Sequence, residues 1–372
     1  MATANAAQDP RPVTLFLGGD VMTGRGIDQI LPHRGDPRLW ERYVTDARRY
    51  VELAESVNGP VPRPADFSWP WGDALQVLDR VAPDARVVNL ETSVTRSDDV
   101  AHGKAVHYRM VPENIGCLTA ARLDACVLAN NHVLDFGRRG LADTVDALRA
   151  AGIAAAGAGR DAEEAERPVV VRTGASRVVV FSFGAGSSGI PREWAAGRGR
   201  PGVAFMPDLS DATAERIAGR VRHVKQPGDV VVASLHWGSN WGYDVPASHV
   251  DFAHRLIDNG VDIVHGHSSH HPRPIEVYHG KLVLYGCGDL IDDYEGISGY
   301  EEYRDDLRLL YFPSVDPGTG RLLWLRMAAM RAHRLSLRHA STDDAEHLRG
   351  VLGAPVELAP GGLLQLRPQV AP

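Results

Sequence analysis

Four histidines lie within seven residues of this chain, in the run His-Gly-His-Ser-Ser-His-His at 265–271. The apolar segment 261–264 directly precedes them and indicates a buried strand, so the imidazoles follow a strand end. Imidazole is the commonest neutral metal ligand and the side chain best suited to moving protons near neutral pH. The run therefore predicts a metal site, an acid–base centre or both. The alternative, a surface histidine tract, would not need an apolar strand before it.

Other apolar segments of the chain also end in polar side chains. The residues at or just after these ends are Asp20, Glu91, Asn130, Asn131, His132, His236 and Asp289. Helical patterns lie between the segments, at 140–150, 212–224 and 247–259. Strands that alternate with helices predict an α/β sheet, in which ligands bind beyond the carboxyl ends of the strands. We therefore expect these side chains to meet in one crevice.

Some of these residues also have a simpler interpretation. Asp20 follows two glycines, so its carboxylate suits a cation, but it also suits a turn that its side chain closes. Glu91 has the alternative of a carboxylate that stabilises a helix N-terminus. Asn130, Asn131 and His132 are more specific, because burying two carboxamides and an imidazole costs free energy unless they bind something.

Composition excludes several classes of protein. The 372 residues are 44% hydrophobic and carry a formal net charge of -7, with lysine and arginine scattered along the chain. No basic stripe indicates a nucleic acid, and no apolar run is long enough for a membrane span. The three cysteines lack any CxxC spacing, which is typical of reduced thiols. We expect a cytoplasmic protein that binds neither nucleic acid nor membrane.

The order of these patterns predicts one elaborated domain at 13–335. Residues 1–12 are small and polar and are expected to be disordered. Two irregular regions are predicted insertions, at about 33–72, an aromatic-rich helical excursion, and at about 184–205, a glycine-rich loop. Residues 336–372 are expected to form a helix and a tail.

The ordered motifs together resemble the CapA family, named for poly-γ-glutamate capsule synthesis, in the calcineurin-like metallophosphatase superfamily. The resemblance runs from about 13 to about 312. It is carried by Gly19-Asp20-Val21-Met22, Asn89-Leu90-Glu91, Asn130-Asn131-His132 with Asp135 and Gly137, His236-Trp237-Gly238, and Gly266-His267-Ser268-Ser269-His270. It implies a calcineurin-like metallophosphoesterase fold, which is a two-sheet β-sandwich flanked by helices, with the metal at strand ends.

By position, the resemblance also implies roles for individual residues. The residues that resemble metal ligands are Asp20, Glu91, Asn131, His236 and His267, and His265 at the same strand end is a further candidate. His132 resembles the catalytic histidine that follows the ligand asparagine, and His270 matches the second histidine of its motif.

Two departures from the superfamily pattern affect the metal content. The first motif is usually Asp-x-His, whereas Met22 stands at the third position, and Glu91 replaces an aspartate. A lost ligand indicates one metal or a weaker second site, whereas a phosphoesterase gains much of its rate from two cations. The oxygen-rich ligands suit a divalent cation such as Ca, Mg or Mn.

Three functions follow as hypotheses. The first is a metal-dependent epimerase of a ribosomal (lasso) peptide, since the CapA-like group includes such enzymes. In it His132 and either His267 or His270 exchange an α-proton, tuned by Asp20, Asp135 or Asp289. The second is a hydrolase of phosphoesters or of an amide such as a γ-glutamyl link, and the third is a non-catalytic binding module.

Overall fold

A computed structural model of the chain describes residues 11–174, 176–359 and 362–368. Strands and helices alternate over these residues, so the α/β prediction is confirmed. The helices of the described ranges are α1 Gly26–Ile30, α2 Arg48–Asn58, α3 Ala74–Val81, α4 Gly116–Ala120, α5 Gly137–Ala150, α6 Ala162–Ala165, α7 Asp211–Val224, α8 Ala247–Asp258 and α9 Thr342–Leu352. The strands are β1 Val13–Val21, β2 Ala85–Leu90, β3 Ser93–Val94, β4 Arg109–Met110, β5 Ala125–Val127, β6 Ala154–Ala156, β7 Ala158–Gly159, β8 Val169–Thr173, β9 Ser176–Ala185, β10 Gly202–Val203, β11 Phe205–Met206, β12 Asp229–His236, β13 Ile263–His267, β14 Ile275–Tyr278, β15 Lys281–Leu284, β16 Asp289–Ile291, β17 Leu307–Val315, β18 Leu322–Ala332, β19 Leu337–His339, β20 Glu357–Ala359 and β21 Leu363–Leu366.

Two large sheets contain most of these strands. The first has the order β20-β21-β18-β17-β1-β2-β5-β6, with β16 paired to β1 and β19 to β18. Strands β1, β2, β5 and β6 run parallel, whereas β17 and β18 are antiparallel to their neighbours. The second sheet has the order β11-β9-β12-β13-β15-β14, with β8 paired to β9, and its central strands are parallel.

The two sheets pack face to face. Leu15 of β1 and Val87 of β2 lie in one buried cluster with Val180 of β9 and Val232 of β12. Side chains alternate between the two faces of a strand, so the residues next to these point outward. Phe16 therefore belongs to a different cluster, on the opposite face of the first sheet.

Helices cover both outer faces of this pair of sheets. On the first sheet, Phe16 shares its cluster with Leu141 of α5. On the second sheet, Val231 of β12 packs with Ile217 of α7 and Phe252 of α8. The layers are therefore helix, sheet, sheet and helix, which buries both faces of the parallel strands.

The structure shows which helices and strands lie in the predicted insertions and terminal segments. Residues 33–72 contain α2, whose Val51 is buried in the cluster outside the first sheet. Residues 336–372 contain α9, but β21 pairs with β18 and β20 pairs with β21, so this segment extends the first sheet. Of the predicted disordered residues 1–12, residues 1–10 lie outside the described ranges. The division into one domain with two insertions stays a prediction.

The helices of the described residues are short. None of them combines the length and the apolar character that crossing a bilayer requires.

Candidate metal centre

The predicted site residues meet near the ends of β1, β12 and β13, beside Asp289 at the start of β16. In the first sheet, Asp20 of β1 lies in register with Asp289 of β16. In the second sheet, His236 of β12 lies in register with His267 of β13. Side chains in register on neighbouring parallel strands lie side by side, so each sheet contributes a pair. The crevice expected from the sequence is therefore present.

Asp20, His236 and His267 form the centre of the crevice. Their ligand atoms all lie within 4.8 Å of one another, and all three side chains are fully buried. The Nδ1 atoms of His236 and His267 are 2.8 Å apart, and the Oδ1 of Asp20 is 3.8 Å from the Nδ1 of His267. Three potential ligand atoms therefore lie close enough together to share one ion.

Glu91 and Asn131 complete this group. The Nε2 of His236 lies 2.9 Å from the Oδ1 of Asn131 and 3.8 Å from the Oε1 of Glu91. Asn89 joins the two carboxylates, because its Nδ2 donates to Asp20 at 2.8 Å and to Glu91 at 3.1 Å. Five of the predicted ligands are therefore brought together by the fold.

The electrostatics of the centre favour a bound cation. Burial, together with the charge of Asp289, raises the pKa of Asp20 to about 7. Burial and the charge of Asp20 raise the pKa of Glu91 well above its usual value. Burial also lowers the pKa of His236 and His267 well below the usual imidazole value. Neutral imidazoles with free lone pairs beside destabilised carboxylates fit a divalent cation, which would restore the carboxylates to their charged form.

His132 and Asp135 form a hydrogen-bonded pair beside this centre. The Nδ1 of His132 lies 2.6 Å from the Oδ2 of Asp135, and its Nε2 lies 3.8 Å from the Oε1 of Glu91. Burial lowers the pKa of His132 to about 4. Burial alone would raise the pKa of Asp135, but the charges of His132 and Lys104 hold it below its usual value. Asp135 thus fixes the Nδ1 proton and leaves Nε2 directed toward the centre.

A second histidine–carboxylate pair lies on the other side of the crevice. The Nδ1 of His270 is 2.9 Å from the Oδ1 of Asp289, and Asn240 Nδ2 is 3.0 Å from its Nε2. Burial disfavours the imidazolium, but the charges of Asp289 and Asp20 outweigh it and raise the pKa of His270. The two sides of the crevice therefore differ, with one neutral and one readily protonated imidazole.

His265 lies outside the group of donor atoms. Its Nε2 is 3.0 Å from the carbonyl oxygen of Gly18, and its Nδ1 is 3.1 Å from the Oγ of Ser234. The same Ser234 hydroxyl lies 2.9 Å from the Nε2 of His267. Both ring nitrogens of His265 thus have hydrogen-bond partners, and Ser234 connects His265 to His267, so this geometry favours a supporting role for His265 over the predicted role of a ligand.

Three residues at the site have no role in the sequence-based predictions. Lys104 forms an ion pair with Asp135, and its Nζ also lies 3.2 Å from His132 Nδ1. Asn89 positions both carboxylates. Ser268 has a φ of 104°, rare for a residue other than glycine, and its backbone N–H donates to Asp20 at 3.2 Å. Asn89 stands in a motif that carries the family resemblance, which was a usable signal, whereas Lys104 lies in a segment with no pattern.

Met22 lies where the superfamily pattern has a histidine. It is buried, and its Sδ is 3.7 Å from the hydroxyl of Tyr294. A thioether is a weak ligand for a hard cation. The position therefore adds no donor to the centre.

The chain matches known proteins over most of its length. The model of the family described as "Bacterial capsule synthesis protein PGA_cap" matches residues 14–294. A probable polyglutamine synthesis accessory protein of Mycobacterium tuberculosis (strain ATCC 25618 / H37Rv) is 52% identical over 371 residues, which cover 97% of this chain and 98% of that protein. The PGA biosynthesis protein CapA of Bacillus subtilis (strain 168) is 26% identical over 311 residues, covering 82% of this chain and 68% of that protein.

Among solved structures, the crystal structure of TT1561 of Thermus thermophilus aligns with 84% of this chain and 97% of that chain. Its sequence identity is 10% and its TM-score is 0.39. A similarity at this level is too low to assign the fold, so the calcineurin-like fold stays a prediction.

Proposed function

We propose that this chain, which belongs to the bacterial capsule synthesis protein family, is a metal-dependent hydrolase. The observation that carries this proposal is the convergence of Asp20, His236 and His267 within 4.8 Å, with the His132–Asp135 pair beside them. A buried cation site with an adjacent imidazole is the arrangement that metal-assisted hydrolysis requires.

Asp20, His236 and His267, with Glu91 and Asn131, would hold the cation. A bound divalent cation supplies Lewis acidity and lowers the pKa of water. Mn is favoured among Ca, Mg and Mn, because the donor set mixes two imidazoles with carboxylate and amide oxygens.

Residues of the chain would carry out proton transfer and orient the groups that take part in it. His132 faces the centre through its unprotonated Nε2, so that nitrogen would first take a proton from the attacking water and then pass it to the leaving group. Asp135 orients the ring by holding its Nδ1, and Lys104 fixes Asp135. Burial of the donor atoms keeps bulk water from competing with the substrate.

Two substrate classes suit this chemistry, a phosphoester and a γ-glutamyl amide. The second is supported by the names of the relatives, since one is a polyglutamine synthesis accessory protein and another a PGA biosynthesis protein. Neither name concerns a peptide epimerase, so the relatives give no support to the epimerase hypothesis. The hydrolase alternative agrees better with them.

Turnover of model substrates tests the proposal. Purified protein is assayed with and without Mn²⁺ on bis(para-nitrophenyl) phosphate and on γ-glutamyl para-nitroanilide. Mn²⁺-dependent release of para-nitrophenol or para-nitroaniline is expected, with a loss of at least about 100-fold in His132→Ala at unchanged metal content. His254→Ala is the matched control, because this imidazole pairs with Glu276 outside the crevice.

Two results would contradict the proposal. No Mn²⁺-dependent turnover of either substrate would favour the non-catalytic binding module. Equal turnover by wild type and His132→Ala would remove His132 from the mechanism.

A further inference from the structure

Two tyrosines join the two histidine–carboxylate pairs of the crevice. The hydroxyls of Tyr108 and Tyr294 lie 2.7 Å apart. The ring of Tyr108 meets the ring of His132 edge-on, with centroids 4.6 Å apart, and the ring of Tyr294 meets that of His270 in the same way at 5.3 Å. The tyrosine pair therefore spans the crevice from one imidazole to the other.

The two tyrosine hydroxyls carry one proton more than the hydrogen bond between them requires. Two phenols carry two O–H protons, and the hydrogen bond between them consumes one. The remaining acceptor within reach of Tyr294 is the Sδ of Met22 at 3.7 Å. A thioether is a weak acceptor, so one phenolic O–H lacks a strong partner beside the candidate metal centre.

A buried arginine holds both tyrosines in place. The guanidinium of Arg25 lies 4.6 Å from the ring centroid of Tyr108 and 5.7 Å from that of Tyr294. Asp293 and Glu41 pair with this guanidinium, so its position is fixed from both sides. The hydroxyls are consequently preorganised, which is the condition for strong stabilisation of charge that develops in a reaction.

Tyr294 is more exposed than the residues at the centre. Asp20, His236 and His267 are fully buried, whereas Tyr294 and Asn131 are partly exposed. Tyr294 is therefore more accessible to a ligand than these three residues are.

From this geometry we propose that Tyr294, polarised by Tyr108, donates a hydrogen bond to an oxyanion of the substrate. The ligand class is a phosphoryl oxygen or the oxygen of a tetrahedral amide intermediate. As a neutral hydrogen-bond donor, Tyr294 then stabilises the oxyanion. It does so beside Met22, which adds no metal ligand to the centre. The inference rests on the proposed hydrolase function, because it assigns a substrate contact of the same site.

Anion binding tests this inference separately from turnover. Mn²⁺-loaded protein is titrated with inorganic phosphate by calorimetry, in wild type, Tyr294→Phe and Tyr108→Phe. Tyr278→Phe is the control, because this hydroxyl makes one side-chain hydrogen bond, to Asp258, outside the crevice. Metal content and melting temperature are measured for each variant.

Tyr294→Phe is expected to bind phosphate about 10-fold to 100-fold more weakly than wild type at unchanged metal content, since hydrogen bonds to charged groups contribute this much. Tyr108→Phe is expected to weaken binding less, and Tyr278→Phe not at all. Phosphate also is expected to change the near-ultraviolet absorption of wild type and Tyr278→Phe, but not of Tyr294→Phe.

Equal phosphate affinity in Tyr294→Phe and wild type would overturn the inference, and so would a metal-loaded wild type that binds no phosphate. A protein that hydrolyses the model substrates but shows this equality would retain the proposed function and lose only the role of Tyr294. A protein that binds phosphate through Tyr294 but does not turn over the model substrates would retain the role of Tyr294 and lose the proposed function.

Discussion

The Nδ1 atoms of His236 and His267 lie 2.8 Å apart at the end of two neighbouring parallel strands. Burial keeps both imidazoles neutral by lowering their pKa, so each retains a lone pair. The Nε2 of His236 meets an amide oxygen and the Nε2 of His267 meets a hydroxyl, which leaves the Nδ1 atoms to face each other. A divalent cation held by His236, His267 and Asp20 would account for this arrangement.

Metal binding is therefore expected to stabilise the folded protein. A ligand that binds only the folded state adds about 2.7 kcal/mol at a concentration of about 100 times its Kd. Differential scanning calorimetry with Mn²⁺ and with a chelator measures the effect. His254→Ala should show the same rise in melting temperature as wild type, and His267→Ala should show none. An equal rise in His267→Ala would place the ion elsewhere.

The affinity for the metal is expected to depend on pH. The pKa of Asp20 is raised to about 7 by burial and by Asp289, so protons compete with the cation for this carboxylate below that pH. Titration calorimetry with Mn²⁺ should give weaker binding at about pH 6 than at about pH 8, with protons released on binding. A pH-independent affinity would contradict the assignment of Asp20.

The raised pKa of Asp20 also determines how the stability of the metal-free protein changes with pH. A carboxyl group whose pKa is higher in the folded protein than its ordinary value of 3.8 stabilises the folded state most when it is protonated. Its contribution is therefore lost as pH rises from about 4 to about 7. In chelator, Asp20→Asn should lose less stability than wild type over this range, as measured by urea unfolding. A parallel loss in both proteins would contradict the raised pKa.

A substitution of His265 distinguishes a residue that supports a metal ligand from a residue that is itself a ligand. Its ring lies within hydrogen-bond distance of Gly18 and Ser234, and Ser234 contacts the candidate ligand His267. His265→Ala is expected to lower Mn²⁺ affinity by about 10-fold to 100-fold and still bind one ion at saturation, because outer-shell partners have effects of this size. A variant that binds no ion at any concentration would make His265 a ligand.

Lys104 is expected to act through Asp135. Its ammonium pairs with the carboxylate that holds the Nδ1 of His132. Lys104→Met should lower kcat by about 10-fold or more with little change in KM, because the imidazole is oriented less well. Lys225→Met is the control, since Lys225 pairs with Asp262 elsewhere. Restoration of kcat by Lys104→Arg would support the role of the charge, and an unchanged kcat in Lys104→Met would refute it.

The convergence of these side chains could be predicted because the ends of strands are readable from the sequence. Asp20, Glu91, His236 and His267 each follow an apolar run, and parallel strands bring such residues to one edge. The role of His265 was not readable in the same way. It stands two positions before His267, so both side chains leave the same face of β13, but His265 lies deeper between the sheets and meets the backbone of Gly18.

Contacts between distant segments also escaped prediction. Tyr294 meets Met22 and Tyr108 across long stretches of sequence, and no local pattern indicates such a contact. The final strands were missed because β20 and β21 are short and have weak alternation, and they gain their order from pairing with β18. Local patterns therefore specified the elements, whereas tertiary pairing specified these contacts.

The most direct test of the central claim is elemental analysis of the protein purified from medium containing Mn²⁺. About one divalent ion per chain is expected for wild type and for His254→Ala. Asp20→Asn, His236→Ala and His267→Ala should each contain little or none while remaining folded by circular dichroism. A wild type without a bound ion, or variants that keep the full ion content, would contradict a cation shared by Asp20, His236 and His267.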